Sequence, residues 1–172
     1  MMYPDRMWRK TKDDGIELEE CLVNELTKRK LTITTAESCT GGMIAGTLVN
    51  VAGASDVLSE GYITYSNEAK ERLVGVDRET LKRYGAVSEQ TAREMAAGAA
   101  KAAGADVALS ATGIAGPGGG TAEKPVGLVY IGCYISGRIN VVKCQFNGSR
   151  MENRISTVEE ALKLALKEIE GL

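Results

Sequence analysis

Three segments of the chain combine polar side chains with small residues at points where hydrophobic strands are predicted to end. They read A-E-S-C-T-G-G at 36–42, Y-I-T-Y-S-N-E-A-K at 62–70 and T-G-I-A-G-P-G-G-G-T at 112–121. In open α/β sheets, ligands collect where strands end and helices begin, because the backbone N–H groups there favour anions. These three segments therefore form the candidate site.

Ser38 is the candidate nucleophile, since it falls at a strand-to-helix turn. Position alone favours the alternative, an ordinary helix N-cap. The chain contains no histidine, which excludes a Ser-His-Asp triad, a Cys-His dyad and histidine-ligated zinc or haem built from this chain. A hydrolase with this sequence has to use Lys, Tyr, Asp, Glu or a chain terminus as its base.

The spacing of the candidate residues matches no common catalytic or phosphate-binding motif. The segment 112–121 lacks the Gly-Lys-Ser/Thr of a P-loop and does not open a helix as G-x-G-x-x-G. Four residues separate Tyr65 from Lys70, whereas the short-chain dehydrogenase pair is Tyr-x-x-x-Lys. Ser38 is not followed by the lysine of the S-x-x-K motif. A nicotinamide-dependent oxidoreductase that uses Tyr65 and Lys70 is therefore a disfavoured alternative.

The elements that must position these segments alternate between helix and strand. Amphipathic spacing predicts helices over about 16–30, 40–49, 67–74, 77–84, 88–103 and 149–170. Apolar and β-branched runs predict strands over 31–35, 57–65, 106–111, 126–135 and 139–146. The alanine-rich helix 88–103 is expected to pack against the sheet. The order of elements predicts one domain, a three-layer α/β/α fold with a mixed central sheet. We expect residues 15–172 to form this domain and residues 1–14 a flexible N-terminal arm, with packing of Trp8 as the alternative.

Composition narrows the classes of partner and cofactor. The chain has 172 residues, 44% hydrophobic and 26% charged, and a net charge of -2, so no basic excess favours a nucleic acid. No segment approaches the roughly 20 apolar residues of a membrane span. We therefore expect no nucleic-acid or membrane partner, a cytoplasmic location and no metal, since no close pair occurs among the four cysteines, Cys21, Cys39, Cys133 and Cys144.

Four motifs, in order, make the sequence resemble the CinA C-terminal family. They are A-E-S-C-T-G-G at 36–42, Y-S-N-E-A-K at 65–70, G-A-V-S-E-Q at 85–90 and T-G-I-A-G-P-G-G-G-T-A-E-K-P-V-G at 112–127. The resemblance covers about residues 16–170, and the stand-alone members of the family are nicotinamide-nucleotide amidases. It implies the three-layer fold, hydrolysis of nicotinamide mononucleotide to nicotinate mononucleotide and ammonia, and a homo-oligomer, a dimer or higher. We expect no cofactor.

The resemblance also implies roles for individual residues. Ser38 matches the family's nucleophile, and Tyr65 and Lys70 match its tyrosine and lysine. The positions that match the family's substrate contacts are Asn67, Thr112, Gly113 and Arg150, with Arg154 in the same G-x-R-x-x-x-R stretch.

The chemistry of amide hydrolysis agrees with these roles. With no histidine, Lys70 is the simplest base, directly or through the Tyr65 hydroxyl, and a dry pocket or a second cation has to keep its amine neutral. Backbone N–H groups are predicted to bind the oxyanion, and these belong to Cys39, Thr40, Gly41 and Gly42.

Several interpretations stay open at this point. Cys39 is an alternative nucleophile, and Glu37 either orients Lys70 or is solvated. Lys124 either reaches a phosphate or is a solvated loop lysine. A non-catalytic nucleotide-binding module is the main functional alternative to an enzyme.

Overall fold

The computed structural model describes residues 17–172, so the predicted arm 1–14 and Trp8 lie outside the described residues. The helices are α1 (Leu18–Arg29), α2 (Met43–Leu48), α3 (Asn67–Val74), α4 (Arg78–Tyr84), α5 (Glu89–Ala103) and α6 (Arg150–Glu170). The strands are β1 (Ile33–Glu37), β2 (Tyr62–Ile63), β3 (Val107–Gly113), β4 (Leu128–Ile135) and β5 (Arg138–Gln145).

The five strands form one mixed sheet in the order β2-β1-β3-β4-β5. Strand β1 runs parallel to both β2 and β3, while β3, β4 and β5 pair antiparallel. Helices α1, α2 and α6 cover one face of the sheet, and α3, α4 and α5 cover the other. The predicted three-layer α/β/α fold with a mixed sheet is therefore confirmed.

Local capping residues account for the accuracy of several predicted helix starts. The side chains of Ser66, Asp77 and Ser88 each accept a backbone N–H from the first turn of α3, α4 and α5. Ser149 and Glu152 form a reciprocal capping box at the start of α6. These caps lie within a few residues of the groups they satisfy, so sequence alone can identify them.

Two strand boundaries differ from the sequence prediction. The strand expected over 57–65 is reduced to Tyr62–Ile63 and one bridge between Leu58 and Ile33. Between them the Glu60 carbonyl accepts the Thr34 hydroxyl at 2.8 Å instead of joining the ladder. Strand β3 instead continues to Gly113, because its pairing with β4 extends to Val129. Thr112 and Gly113 therefore belong to the strand and not to the glycine-rich loop.

Helix α5 packs closely on both the sheet and α3, as its small residues predict. Ala92 is fully buried, and its carbonyl accepts the Ser110 hydroxyl of β3 at 2.6 Å. On the side facing α3, a Cβ atom at Gly98 would overlap the carbonyl oxygen of Val74. Gly98 therefore sets how closely α3, which carries Lys70, approaches α5.

Gly98→Ala should destabilise the protein by about 1–3 kcal/mol or more, because the added methyl group forces α3 and α5 apart. Gly46→Ala is the matched control, since Gly46 also lies inside a helix but has no atom within 4 Å of its Cβ position. That substitution should be neutral or stabilise by about 0.5–1 kcal/mol. Urea unfolding measures both variants, and equal free energies of unfolding would contradict the packing account.

Candidate active site

The three polar segments meet where the parallel strands β1, β2 and β3 end. The Ser38 N–H extends the ladder by donating to the Ala111 carbonyl at 2.9 Å. The Thr64 N–H donates to the Glu37 carbonyl at 2.8 Å. Parallel pairing brings the carboxyl ends of these strands to one end of the sheet, so chain segments that are far apart in sequence form one site.

A direct contact between Ser38 and Lys70 lies at the centre of this site. The Lys70 Nζ atom is 3.1 Å from the Ser38 Oγ and 2.8 Å from the Thr64 carbonyl oxygen. Lys70 is only 1% exposed although it carries an amine. The Ser66 side chain accepts the Ala69 N–H at 3.1 Å, which fixes the start of α3 and directs Lys70 towards the strand ends.

Burial lowers the pKa of the Lys70 amine below its usual value, against the opposing charges of Cys39 and Glu68. No carboxylate among residues 17–172 forms an ion pair with it. The amine donates to the Thr64 carbonyl and to the Ser38 Oγ, and once it has lost a proton its lone pair can accept the proton of the Ser38 hydroxyl. Of the two causes that the sequence offers for lowering the lysine pKa, burial is the one that acts in the structure.

Glu37 has neither of the two roles predicted for it, orienting Lys70 or lying in solvent. Its carboxylate is fully buried and accepts three backbone N–H groups, from Gly42 at 3.0 Å, Ile44 at 2.9 Å and Ala45 at 2.9 Å. It therefore occupies the start of α2, where the orphan N–H groups of a helix favour a negative charge. Glu37 holds the turn that follows Ser38 and neither orients Lys70 nor lies in solvent.

The backbone of this turn uses two of the N–H groups that were predicted to bind an oxyanion. The Gly41 N–H donates to the Ser38 carbonyl at 3.1 Å, and the Gly42 N–H donates to Glu37. Within residues 17–172, the N–H groups of Cys39 and Thr40 have no acceptor. Because Thr40 is also fully buried, the predicted set of four donors reduces to Cys39.

A cavity of about 240 Å³ opens beside the Ser38–Lys70 pair. Eight of the predicted site residues line it, together with Ala86, Val87 and Ala115; the eight are Ser38, Cys39, Tyr65, Asn67, Lys70, Thr112, Gly113 and Arg150. The other four do not line it: Thr40, Gly41, Gly42 and Arg154. Arg154 instead donates to the Cys39 and Thr40 carbonyls, both at 3.0 Å.

Tyr65 and Arg150 meet at the open side of the cavity. The Arg150 Nη2 donates to the Tyr65 hydroxyl at 3.2 Å, and its Nη1 donates to the Gly116 carbonyl at 2.9 Å. Tyr65 is 62% exposed and, in the described part of the chain, makes no hydrogen bond to Ser38 or Lys70. The lysine reaches the serine directly, so the geometry does not require a relay through the Tyr65 hydroxyl.

The protonation of the Cys39 thiol and the hydrogen bond of the Lys124 amine disfavour the reactive and ligand-binding roles considered for these two residues. Burial raises the pKa of the Cys39 thiol to about 11, which keeps the thiol protonated near neutral pH and disfavours it as the nucleophile. The Lys124 Nζ donates to the Tyr84 carbonyl at 2.6 Å. Lys124 therefore caps the end of α4, which was neither of its two expected roles.

Sequence reasoning missed two groups that hold the site together. Asn153 is 1% exposed, donates to the Ala115 carbonyl at 3.0 Å and accepts the Gly148 N–H at 2.9 Å. The sequence feature that could have identified Asn153 is a polar amide on the face of α6 that is predicted to be buried, one turn before Thr157. The Thr64 carbonyl, which binds Lys70, carries no such signal because any residue could supply it.

Within residues 17–172, no group of three or more His, Cys, Asp or Glu side chains is placed to hold a metal ion. The same residues contain no helix that is both long enough and apolar enough to cross a membrane.

Comparison with known proteins gives a consistent set of matches. A family model described as the CinA C-terminal domain matches residues 16–169. A CinA-like protein of Kosmotoga olearia is 61% identical over 137 residues, which are 80% of this chain and 33% of that protein. The chain spans about a third of the length of the curated relatives it matches.

Solved structures match over nearly their whole length. The competence/damage inducible protein CihA from Agrobacterium tumefaciens has a TM-score of 0.86 at 44% identity, over 89% of this chain and 93% of that one. A competence-damaged protein (CinA) superfamily protein from Escherichia coli has a TM-score of 0.85 at 34% identity, over 96% and 99% of the two chains.

The buried amine predicts a particular dependence of stability on pH. Because the folded state lowers the pKa of Lys70, the unfolded chain binds more protons between that lowered pKa and the usual value of about 10.4. In this window the free energy of unfolding of the wild type should rise with pH relative to Lys70→Met, by at most about 1.4 kcal/mol per pH unit.

Urea unfolding at a series of pH values measures this difference. Lys101→Met, which removes an exposed lysine of α5, controls for the loss of a lysine as such. Parallel pH profiles of the wild type and Lys70→Met would contradict the assignment of a depressed pKa.

Proposed function

The chain belongs to the CinA C-terminal domain family, and from this premise we propose that it hydrolyses nicotinamide mononucleotide to nicotinate mononucleotide and ammonia. The observation that carries the proposal is the buried Lys70 amine, 3.1 Å from the Ser38 Oγ at the wall of a cavity. A lysine whose pKa is lowered by burial can take a proton from serine, so no histidine is needed.

In the first half of the reaction, the Ser38 Oγ attacks the carboxamide carbon and passes its proton to the neutral Lys70 amine. The electron pair of the C=O bond moves to the oxygen, where the backbone N–H of Cys39 stabilises the negative charge. When the C–N bond breaks, the Lys70 ammonium returns its proton to the nitrogen. Ammonia leaves, and the nicotinoyl group remains as an ester on Ser38.

In the second half, Lys70 is neutral again and takes a proton from a water molecule whose oxygen attacks this ester. Collapse of the second tetrahedral intermediate breaks the bond to Ser38 Oγ, which recovers a proton from Lys70. The products of this half are nicotinate mononucleotide and the free enzyme. Lys70 serves as base and acid in turn, which requires a pKa near the working pH.

Arg150 is the group best placed to recognise the phosphate of the substrate. The N-terminus of α2, an ordinary phosphate site in such folds, is filled by the Glu37 carboxylate. Lys70 and Arg150 are the cationic side chains that line the cavity, and Lys70 is committed to Ser38. The guanidinium of Arg150 keeps N–H groups beyond its two protein contacts, in a geometry that suits a phosphate.

The oxidoreductase alternative has no support in this geometry. A tyrosine–lysine pair for hydride chemistry needs the lysine beside the phenol, whereas the Lys70 amine contacts Ser38 and Thr64. A non-catalytic nucleotide-binding module would keep the cavity without needing a depressed lysine pKa, so turnover is the property that separates it from an amidase.

Ser38 and Lys70 should act as one unit. Ser38→Ala removes the attacking oxygen and Lys70→Met removes its base, so each should lower kcat by about 10³-fold or more. The double variant should lose little beyond either single variant, because the second residue has no function without the first. Ammonia release and formation of nicotinate mononucleotide measure turnover, and calorimetry checks that the variants still bind nucleotide.

Ser156→Ala, on α6, is the control for loss of a serine hydroxyl. Full activity of Ser38→Ala, or losses at Ser38 and Lys70 that multiply, would contradict the serine–lysine assignment. An active Ser38→Ala beside an inactive Cys39→Ala would transfer the nucleophilic role to Cys39.

Arg150→Ala should raise KM for the nucleotide by about 10- to 100-fold, the value of a charge-assisted hydrogen bond, with a smaller effect on kcat. A phosphate remote from the reacting carbon is bound similarly in the ground and transition states. Nicotinamide riboside, which lacks the phosphate, is the control substrate, and Arg150→Lys keeps the charge. Equal losses with both substrates would show that Arg150 does not act on the phosphate.

A further inference from the structure

The Arg154 guanidinium binds the backbone of the turn after Ser38, and the nearer of its two partners there is 114 residues away in sequence. Its Nε donates to the Cys39 carbonyl and its Nη2 to the Thr40 carbonyl, both at 3.0 Å. These two bonds join α6 to the nucleophile turn and fix two consecutive peptide groups.

The first bond determines where the Thr40 N–H points. In a planar trans peptide the C=O and the N–H point in opposite directions. Because the Cys39 carbonyl faces Arg154, the Thr40 N–H of the same peptide points away from Arg154.

The second bond acts one peptide further along and returns to Cys39. It fixes the peptide between Thr40 and Gly41, whose N–H donates to the Ser38 carbonyl at 3.1 Å. That hydrogen bond orients the peptide between Ser38 and Cys39, and so fixes the direction of the Cys39 N–H. Arg154 therefore orients the Thr40 N–H through one planar peptide. It orients the Cys39 N–H through two planar peptides and the hydrogen bond between them.

Of these two N–H groups, that of Cys39 is the one beside the cavity, because Thr40 is fully buried and does not line it. The Ser38 N–H is used by Ala111, the Gly41 N–H by Ser38, and the Gly42 N–H by Glu37. Among residues 17–172 the N–H groups of Cys39 and Thr40 have no acceptor, and Cys39 lines the cavity beside Ser38.

We infer that Arg154 is a positioning residue that presets an oxyanion hole at the Cys39 N–H group. Its positive charge polarises the Thr40 carbonyl, which strengthens the Gly41 N–H as a donor to the Ser38 carbonyl and, through that peptide, the Cys39 N–H. The inference rests on the proposed function only for Ser38 as nucleophile, since any acyl or phosphonyl group that reacts with Ser38 needs the same donor.

Arg154→Ala should lower kcat for nicotinamide mononucleotide by about 10²- to 10³-fold, the usual cost of losing an oxyanion donor, with KM nearly unchanged. It should slow the labelling of Ser38 by a fluorophosphonate, followed by intact mass, by a similar factor, because that reaction also places negative charge on an oxygen beside the serine. Arg154→Lys should recover part of both rates, since an ammonium can keep one of the two carbonyl contacts.

Arg93→Ala is the matched control, because Arg93 also donates to a backbone carbonyl, that of Ile139 at 3.0 Å, but outside the site. Both rates should stay at the wild-type value in this variant. Free guanidinium added to Arg154→Ala should raise the rate of labelling, which a general loss of folding would not allow.

The outcomes separate this inference from the proposed function. If the wild type releases no ammonia while Ser38 is still labelled in an Arg154-dependent manner, the proposed substrate is wrong and the positioning role stands. Equal labelling rates in folded Arg154→Ala, Arg154→Lys and wild-type protein would overturn the role of Arg154. A raised KM with unchanged kcat would make Arg154 a substrate contact and would also overturn it, as would a wild-type Ser38 that the fluorophosphonate does not label.

Discussion

A buried amine with no ion-pair partner among residues 17–172 is the constraint on which this site depends. Placing an ammonium away from water costs several kcal/mol unless a carboxylate compensates it, and no carboxylate in residues 17–172 pairs with Lys70. The fold instead offers the Thr64 carbonyl and the Ser38 hydroxyl, partners that suit a neutral amine. The shortness of β2 belongs to the same arrangement, because Thr64 follows its last residue and can direct its carbonyl to the lysine.

Two further charged residues hold the serine in front of this amine. Glu37 accepts the N–H groups at the far end of the turn, and Arg154 binds the carbonyls at its near end. A buried carboxylate is tolerated when several backbone donors satisfy it, and the start of α2 supplies three. Glu37 takes N–H groups and Arg154 takes carbonyls, so together they orient the peptides of the turn, and the Cys39 N–H is left as a donor beside the cavity.

The parts of this arrangement that sequence could predict are those set by nearby residues. The caps at Ser66, Asp77, Ser88 and Ser149 mark helix starts, and the three polar segments mark the site, because each signal lies within a few residues of its effect. The roles of Glu37, Lys124 and Arg154 were mispredicted or incomplete. Each of these roles depends on which backbone groups of another segment lie beside the side chain in the folded protein. These groups belong to the start of α2, the end of α4 and the turn after β1. Strand lengths differed for the same reason, since partners across the sheet decide where β2 and β3 stop.

The central claim is that burial lowers the pKa of the Lys70 amine so that it can act as a base, and its protonation can be observed directly. In protein labelled with ¹³C and ¹⁵N at lysine, the Lys70 side-chain resonance can be assigned by its loss in Lys70→Met and followed through a pH titration. Our account predicts a titration midpoint clearly below the usual lysine value of about 10.4, because burial disfavours the ammonium. A midpoint at or above that value would mean a lysine that stays charged, which would contradict its role as the base for Ser38.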